Sequence, residues 1–248
     1  MMDLAGVPVA ILAGGVAKRL GPSTASVPKA LIEVAGRPFI DHQLRLLRRH
    51  GVRRVVLCVG HLGEQIERHV KDGAAHGLDV RYSRDGDRLL GTGGALRRAG
   101  PLLGEVFWVT YGDTLLDFDY RATLAEFLRG NALGLMTVLR NDNRWDRSNV
   151  LFLDGALVRY DKTHPTPDME HIDYGAALLR RRALERIPAE GPYDLGDLYQ
   201  TLASGGALAG VEVTRRFYEI GSPDGLAETR AFLEAERARE HARGSAET

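Results

Sequence analysis

The sequence predicts an α/β fold in three layers, with a mixed, mainly parallel sheet between two layers of helices. Apolar runs alternate with amphipathic segments through the first half of the chain, a rhythm typical of parallel strands joined by helices. After Asn141 the pattern changes to a hairpin of two short strands, which indicates a smaller second lobe. With 248 residues, 44% of them hydrophobic, the chain can bury one sizeable core. We therefore expect a single domain.

Each element follows from its own periodicity. Short apolar runs bounded by turn residues predict strands at 7–12, 55–59, 79–83, 106–110, 133–139, 150–153, 157–160, 174–179 and 208–214. Amphipathic segments predict helices at 40–50, 62–71, 94–99, 120–129, 181–187 and 195–203. A last helix is expected from Pro223, a good first-turn residue, to about 242, followed by a frayed tail at 243–248.

Composition excludes several classes of function. Lys plus Arg and Asp plus Glu number 33 each, so no net positive field attracts nucleic acid or an anionic membrane surface. The only cysteine, Cys58, excludes an internal disulfide and fits a reducing compartment. No stretch resembles a signal peptide or approaches the roughly 20 apolar residues of a membrane span. We expect a soluble, cytoplasmic protein that contacts neither nucleic acid nor a membrane.

The first predicted strand ends in a glycine-rich segment followed by basic residues. Leu12, Ala13, Gly14 and Gly15 stand where an open α/β sheet binds ligands, and glycines let backbone N–H groups approach a phosphate. Arg19 and Lys29 supply positive charge, the first as a bidentate guanidinium and the second as a point charge. Neither a P-loop nor a G-x-G-x-x-G pattern is present. The alternative is a glycine turn with two solvated basic residues.

This segment resembles the signature of the sugar-1-phosphate nucleotidyltransferases, L-A-G-G-x-G-x-R-L-x-P-x-T-x-x-x-P-K-x-L. Here it stands as LAGGVAKRLGPSTASVPKAL, followed by IEVAGRPFIDHQL, with Ala17 where the family usually has glycine. The resemblance extends from residue 9 to about 225. It implies a Rossmann-like nucleotidyltransferase fold with a small sugar-binding lobe, in a short form without a C-terminal β-helix domain.

Within one domain over 1–248, the resemblance implies three parts. A nucleotide-binding half covers 1–140, a sugar-binding lobe with the second metal ligand covers 141–225, and the C-terminal helix and tail cover 226–248.

The resemblance also implies a metal site. The apolar run VTYGD ends at Asp113, which matches the aspartate that holds the divalent metal in the family. The later segment RFYEIGSP resembles the family's W-x-D-x-G-T and places Glu219 on a second metal-binding aspartate. Mg²⁺ is the expected cofactor, since it takes oxygen ligands and few carboxylates. The alternatives are a helix cap or turn residue for Asp113 and a surface charge for Glu219.

Substrate contacts are implied by matches of lower similarity. LLGTGGAL resembles the family's base-binding loop, which implies that Thr92, Gly93 and Gly94 contact the nucleotide; a plain glycine turn is the alternative. In place of the family's sugar-facing motifs this sequence has Ser-Asn, Asp-Lys-Thr and Asp-Tyr-Gly. Because these motifs differ from those of the family, the identity of the sugar stays open. The expected contacts to the sugar phosphate are Asn149, Lys162, Asp173 and Gly175.

The expected reaction transfers a nucleoside monophosphate from a nucleoside triphosphate to a sugar 1-phosphate and releases pyrophosphate, with Arg19, Lys29 and Asp113 as catalytic residues. The loop at 90–94 favours GTP, with a mannose-like hexose or a heptose as the sugar. Two alternatives stay open: a cytidylyl- or uridylyltransferase acting on a sugar 1-phosphate, and a non-catalytic nucleotide-sugar sensor, which Ala17 and Glu219 favour. A monomer and a homo-oligomer are both compatible with the sequence.

Overall fold

A nine-stranded mixed sheet is the centre of the fold. The structure, a computed structural model, describes residues 3–15, 26–86 and 88–246. The strands within them are β1 Val9–Leu12, β2 Glu33–Val34, β3 Arg37–Pro38, β4 Arg54–Val59, β5 Asp79–Arg84, β6 Val106–Tyr111, β7 Thr114–Leu115, β8 Gly134–Arg140, β9 Val150–Leu153, β10 Ala156–Tyr160, β11 His171–Arg180, β12 Leu208–Val213 and β13 Tyr218–Glu219. The helices are α1 Phe39–Arg49, α2 Gly63–Val70, α3 Gly91–Ala99, α4 Tyr120–Arg129, α5 Leu195–Ser204 and α6 Pro223–Ala246.

The strand order confirms a mainly parallel sheet. Strands β5, β4, β1 and β6 lie side by side and are all parallel. Strand β11 then pairs antiparallel with β6 on one side and with β8 on the other, and β12 runs parallel to β8 at the far edge. The hairpin of β9 and β10 joins at the start of β11, where Val150 pairs with His171. Its turn residues Asp154 and Gly155 both have positive φ, as a tight two-residue hairpin requires.

Helices cover both faces of the sheet because successive strand residues point to opposite sides. In β1 all four residues are buried. Val9 and Ile11 join a cluster with buried residues of α1, α2 and α4, whereas Ala10 and Leu12 join a cluster with α3 and α5. This confirms the three predicted layers. None of the helices in the described ranges is long and apolar enough to cross a membrane.

The structure corrects several predicted elements. Residues Arg181–Arg186 form a 3-10 helix instead of an α-helix. Helix α6 continues to Ala246, so the predicted frayed tail is helical over 243–246. Two ribbons, β2 with β3 and β7 with β13, were not predicted, because a strand of two residues shows no alternation. The strand predicted in the second lobe, β11, lies inside the central sheet.

Candidate active site

A cavity of about 240 Å³ opens at the carboxyl ends of the parallel strands β1, β4, β5 and β6. Open α/β sheets bind ligands at this edge, because the loops that follow neighbouring parallel strands meet there. Many of the predicted site residues line the cavity, namely Leu12, Ala13, Gly14, Gly15, Lys29, Thr92 and Asp113. The structure therefore brings together residues that lie far apart in the sequence, from Leu12 to Asp113. Arg19 and Ala17 lie outside the described residues.

The glycine-rich segment after β1 is packed against its neighbours on one side only. An ideal Cβ at Gly14 would lie 3.0 Å from the backbone nitrogen of Gly60, so a side chain there would require a shift of the backbone. A Cβ at Gly15 would meet nothing within 4 Å. Gly14 thus allows the close packing of this turn, and Gly15 leaves open space beside the cavity.

Lys29 and Asp113, which both line the cavity, form an ion pair. Lys29 follows Pro28 in a short 3-10 helix, and its Nζ donates to Oδ2 of Asp113 over 2.9 Å. Both side chains are partly buried, with 18% and 28% of their surface exposed. An ammonium group has three donors, so Lys29 can contact this carboxylate and a phosphate oxygen together.

Gln43 fixes the backbone around Asp113, a contact that the sequence did not predict. The side chain is only 4% exposed, and its Nε2 donates to the carbonyl oxygens of Tyr111 and Thr114 over 2.8 and 2.5 Å. These carbonyls flank Gly112 and Asp113, so α1 fixes the backbone of the loop that carries Asp113. A glutamine inside the apolar stripe of an amphipathic helix was the available signal.

Glu219 lies next to the Asp113 loop through strand pairing. In the ribbon of β13 and β7, Glu219 is the partner of Thr114, and the N–H of Ile220 donates to the carbonyl of Asp113 over 2.9 Å. The Glu219 carboxylate accepts hydrogen bonds from the N–H of Gly221 and from Oγ of Ser222. Arg216 pairs instead with Glu228, over 2.5 Å. Glu219 is therefore held beside Asp113 without a neutralising cation of its own among the described residues.

Gly221 leaves a space between these charged groups. An ideal Cβ at this position would lie 2.6 Å from Oε2 of Glu219, 3.4 Å from Oδ2 of Asp113 and 3.6 Å from Nζ of Lys29. Two carboxylates and an ammonium thus converge on a point without side-chain atoms. No group of three or more His, Cys, Asp or Glu residues in the described ranges is arranged to hold a metal. The donor set fits a hard cation such as Mg²⁺, which takes one or two carboxylates and completes its shell with substrate phosphates and water.

Several groups of the predicted base-binding loop already form hydrogen bonds with the segment before α5. Thr92 lines the cavity, and its Oγ1 accepts from the N–H of Leu195 over 2.8 Å. The N–H groups of Gly93 and Gly94 both donate to the carbonyl of Tyr193, over 2.9 and 3.2 Å. These two N–H groups already have a partner, so neither is free to donate to a base, and the nucleotide contacts of Thr92, Gly93 and Gly94 stay predictions. Gly93 lets the segment before α5 pack closely, because a Cβ there would lie 2.7 Å from Cδ1 of Tyr193.

The four predicted sugar-phosphate contacts form one cluster at the start of β11. Oδ1 of Asn149 accepts from the N–H of Asp173, and Oδ1 of Asp173 accepts from the N–H of Gly175, both over 2.9 Å. Burial raises the pKa of Asp173 to about 6, against the opposing effects of the Gly175 N–H and the Lys162 ammonium. A Cβ at Gly175 would lie 3.8 Å from Cδ2 of Tyr111, so this cluster adjoins the cavity.

Asp85 lines the cavity and is a second residue that the sequence did not predict. It follows β5 as Asp113 follows β6, is 7% exposed, and lines the cavity beside Leu89. Burial raises the pKa of its carboxyl group, and a hydrogen bond from the N–H of Leu90 opposes this effect. A charged residue directly after a strand end was the signal that could have identified it.

Comparisons with known proteins agree on one family for this chain. A family model described as nucleotidyl transferase matches residues 9–147 of the 248. The chain is 27% identical over 245 residues to the UTP–glucose-1-phosphate uridylyltransferase of Synechocystis sp., covering 91% of this chain and 63% of that protein. It is 30% identical over 219 residues to the catalytic subunit beta of mannose-1-phosphate guanylyltransferase from Drosophila pseudoobscura pseudoobscura, covering 86% of this chain and 58% of that protein. The chain thus spans less than two thirds of the length of these relatives.

A solved structure supports the same fold. HddC from Yersinia pseudotuberculosis, complexed with GMP-PN, superposes with a TM-score of 0.76 at 21% sequence identity. The match covers 92% of this chain and 99% of that one.

Proposed function

Since the chain belongs to the nucleotidyl transferase family, we propose that it transfers a nucleoside monophosphate from a nucleoside triphosphate to a sugar 1-phosphate. The observation that supports this most is the convergence of Lys29, Asp113 and Glu219 around Gly221, since Lys29 and Asp113 also line a cavity with the Gly14–Gly15 turn. Phosphoryl transfer needs positioning and charge neutralisation more than covalent help from the protein, and these groups supply both.

In the proposed reaction an oxygen of the sugar 1-phosphate attacks the α-phosphorus of the triphosphate. A new phosphorus–oxygen bond forms, the bond from the α-phosphorus to the α,β-bridging oxygen breaks, and pyrophosphate leaves with that electron pair. The attacking phosphate is already ionised, so no general base is required. Lys29 neutralises the reacting phosphates, while Arg19 and the backbone amides at Gly14 and Gly15 bind the departing pyrophosphate. Asp113 and Glu219 would hold Mg²⁺, which neutralises phosphate charge when bound.

We propose GTP as the nucleotide and a mannose-like hexose or a heptose as the sugar. The loop at 90–94 and the likeness to a mannose-1-phosphate guanylyltransferase favour this choice. The likeness to a uridylyltransferase favours the second candidate, transfer of UMP to a sugar 1-phosphate. In either case Asn149, Lys162, Asp173 and Gly175 would face the sugar phosphate.

A pyrophosphate-release assay tests the proposal directly. The purified protein is given each of GTP, UTP, CTP, dTTP and ATP with mannose, glucose or heptose 1-phosphate, in the presence of Mg²⁺. We expect the fastest release with GTP and with one of the mannose-like sugars. Fastest release with UTP or CTP would identify a uridylyl- or cytidylyltransferase. Nucleotide binding without release in any combination would contradict transfer and indicate a sensor.

Metal preference tests the assignment of Glu219. Its carboxylate is oriented by Gly221 and Ser222, so a shorter side chain cannot keep both these contacts and its reach toward Asp113. Mg²⁺ demands near-ideal octahedral geometry at about 2.0–2.1 Å, whereas Mn²⁺ accepts the same oxygen ligands. Glu219→Asp should therefore lose activity with Mg²⁺ and recover part of it with Mn²⁺. Glu219→Gln should lose most activity with both metals.

The matched control for Glu219 is Glu228→Asp. Glu228 is 53% exposed and pairs with Arg216 at the surface, so the same shortening there should leave the metal titration unchanged. Equal rates and equal metal titrations for wild type and both Glu219 variants would remove Glu219 from the site.

A further inference from the structure

The carboxylate of Glu219 lies against the first turn of α6. Its oxygens accept hydrogen bonds from the N–H of Gly221 and from Oγ of Ser222. Ser222 precedes Pro223, the first residue of α6, and its Oγ also accepts from the N–H of Gly225 over 3.0 Å. This last contact is the usual one of a serine at the N-cap of a helix. The carboxylate is thus joined to the start of α6 through the capping residue.

Gly225 leaves the space that this carboxylate occupies. An ideal Cβ at Gly225 would lie 1.7 Å from Oε1 and 2.4 Å from Cδ of Glu219. The distance to Oε1 is the shortest for any glycine in the described ranges. In many capped helices the residue three positions after the cap has a side chain that turns back toward the cap. Here the Glu219 carboxylate takes the place of that side chain.

The backbone does not require glycine at position 225. Gly225 lies in the first turn of α6 and is not among the residues with positive φ, although glycine is a poorer helix former than alanine. The backbone at Glu219 is also held in place. The N–H of Ile220 donates to the carbonyl of Asp113, and the carbonyl of Glu219 accepts from Oγ1 of the fully buried Thr229 over 2.7 Å. A side chain at 225 would therefore displace the carboxylate itself.

The two oxygens of this carboxylate have different neighbours. Oε1 faces Ser222 and Gly225, whereas Oε2 accepts from the N–H of Gly221, beside the space that Oδ2 of Asp113 also faces. Because a carboxylate is rigid, a group that displaces Oε1 also moves Oε2. The space at Gly225 therefore determines where Glu219 presents its second oxygen.

We propose that Gly225 is a positioning residue for Glu219, since it provides the room that a glutamate needs to present its carboxylate beside Asp113. This inference rests on the proposed function, in which Asp113 and Glu219 hold the divalent metal. Glu219 stands where the resembled signature has aspartate, and a glutamate is longer by one methylene. The missing side chain at 225 accommodates that extra length.

Melting temperatures of four proteins test this role without metal or turnover: wild type, Gly225→Ala, Glu219→Asp and the double variant. In the wild-type background Gly225→Ala should lower the melting temperature by about 4 °C or more, because it costs the hydrogen bonds from Gly221 and Ser222 to a charged group. An aspartate at 219 ends one methylene earlier and can turn its oxygens away from the added methyl group. In the Glu219→Asp background the same change should therefore raise the melting temperature by about 2–4 °C, because alanine is the better helix former.

Binding of Mn²⁺ alone, measured by water-proton relaxation, tests the link to the metal. Gly225→Ala should weaken the affinity for Mn²⁺ by about 10- to 100-fold, as expected when a group that orients a metal ligand is altered. In the Glu219→Asp background Gly225→Ala should leave the Mn²⁺ affinity unchanged, because the added methyl group no longer meets the carboxylate.

Ala227→Gly is the matched control, because it exchanges the same two residues at an exposed position two residues further along α6. It should change the melting temperature equally in both backgrounds and leave Mn²⁺ binding unchanged. A shift of the same sign for Gly225→Ala in both backgrounds would overturn the proposal, since the methyl group would then act on the helix alone. An unchanged Mn²⁺ affinity in Gly225→Ala would overturn it as well.

Pyrophosphate release separates this proposal from the proposed function. A reversal of sign in the melting temperatures and a loss of Mn²⁺ affinity, combined with no pyrophosphate release by the wild type, would support the role of Gly225 and contradict transfer. Equal rates of pyrophosphate release and equal Mn²⁺ affinities in wild type and Gly225→Ala would contradict the role of Gly225 and leave transfer standing.

Discussion

Asp113→Asn is expected to abolish pyrophosphate release while the protein stays folded. The carboxylate is one of only two in the predicted metal site, and it is also the partner of the Lys29 ammonium. Asparagine has nearly the same shape, and the backbone contacts around it, from Gln43 and Ile220, do not involve the side chain. The loss should therefore appear in turnover and in metal affinity, with a melting temperature close to that of the wild type. The measurement is a steady-state rate with a Mg²⁺ titration.

Asp117→Asn provides the control for Asp113. Asp117 is four positions away and pairs with His50 and Arg215, with 39% of its side chain exposed. Removing this charge should leave turnover within a small factor of the wild type. A wild-type rate in folded Asp113→Asn would exclude Asp113 from the site.

Lys29→Ala is expected to lower kcat/KM on the order of 10²–10³-fold, about 3–4 kcal/mol, as for deletion of a preorganised charge at a transition state. The ammonium lies beside Asp113 in the lining of the cavity and is partly buried, so bulk water cannot replace it fully. The measurement is kcat/KM for the triphosphate at saturating sugar 1-phosphate.

Lys71→Ala is the control for Lys29, because Lys71 is an exposed lysine at the end of α2, away from the cavity. Its removal should leave kcat/KM unchanged. A loss below about threefold in Lys29→Ala would mean that Lys29 does not contact the reacting phosphates.

The sequence predicted the secondary structure most accurately where a local pattern determines it. The bounds of α4, Tyr120–Arg129, agree with the prediction to the residue, because Asp119 caps the helix through hydrogen bonds from the N–H groups of Arg121 and Ala122. The start of α3 was predicted three residues late. Its first turn includes glycines whose conformation depends on Tyr193, about a hundred positions later in the chain, and no local pattern contains that contact.

The same distinction applies to the candidate site. Gly14, Lys29 and Asp113 were predicted to share a site because they follow strands or match a motif, and the structure places all three on one cavity. Gln43 was missed because its partners are the carbonyls of Tyr111 and Thr114, about 70 positions away. Asp85 was missed because a single carboxylate after a strand carries no motif, and its place in the cavity follows only from the fold.

The position of β11 constrains how the chain can fold during synthesis. Residues His171–Arg180 lie between β6 and β8, so these two strands are joined only after the ribosome has passed residue 180. Until then both expose unpaired N–H and carbonyl groups, which are ready to pair with another chain. The segment that matches the family model, 9–147, therefore contains Gly14, Lys29 and Asp113 without the strand that completes their sheet. Contacts between distant parts of the sequence also slow folding. A chain truncated near residue 147 would consequently be prone to aggregate, and the segment before residue 147 would depend on β11 for its solubility.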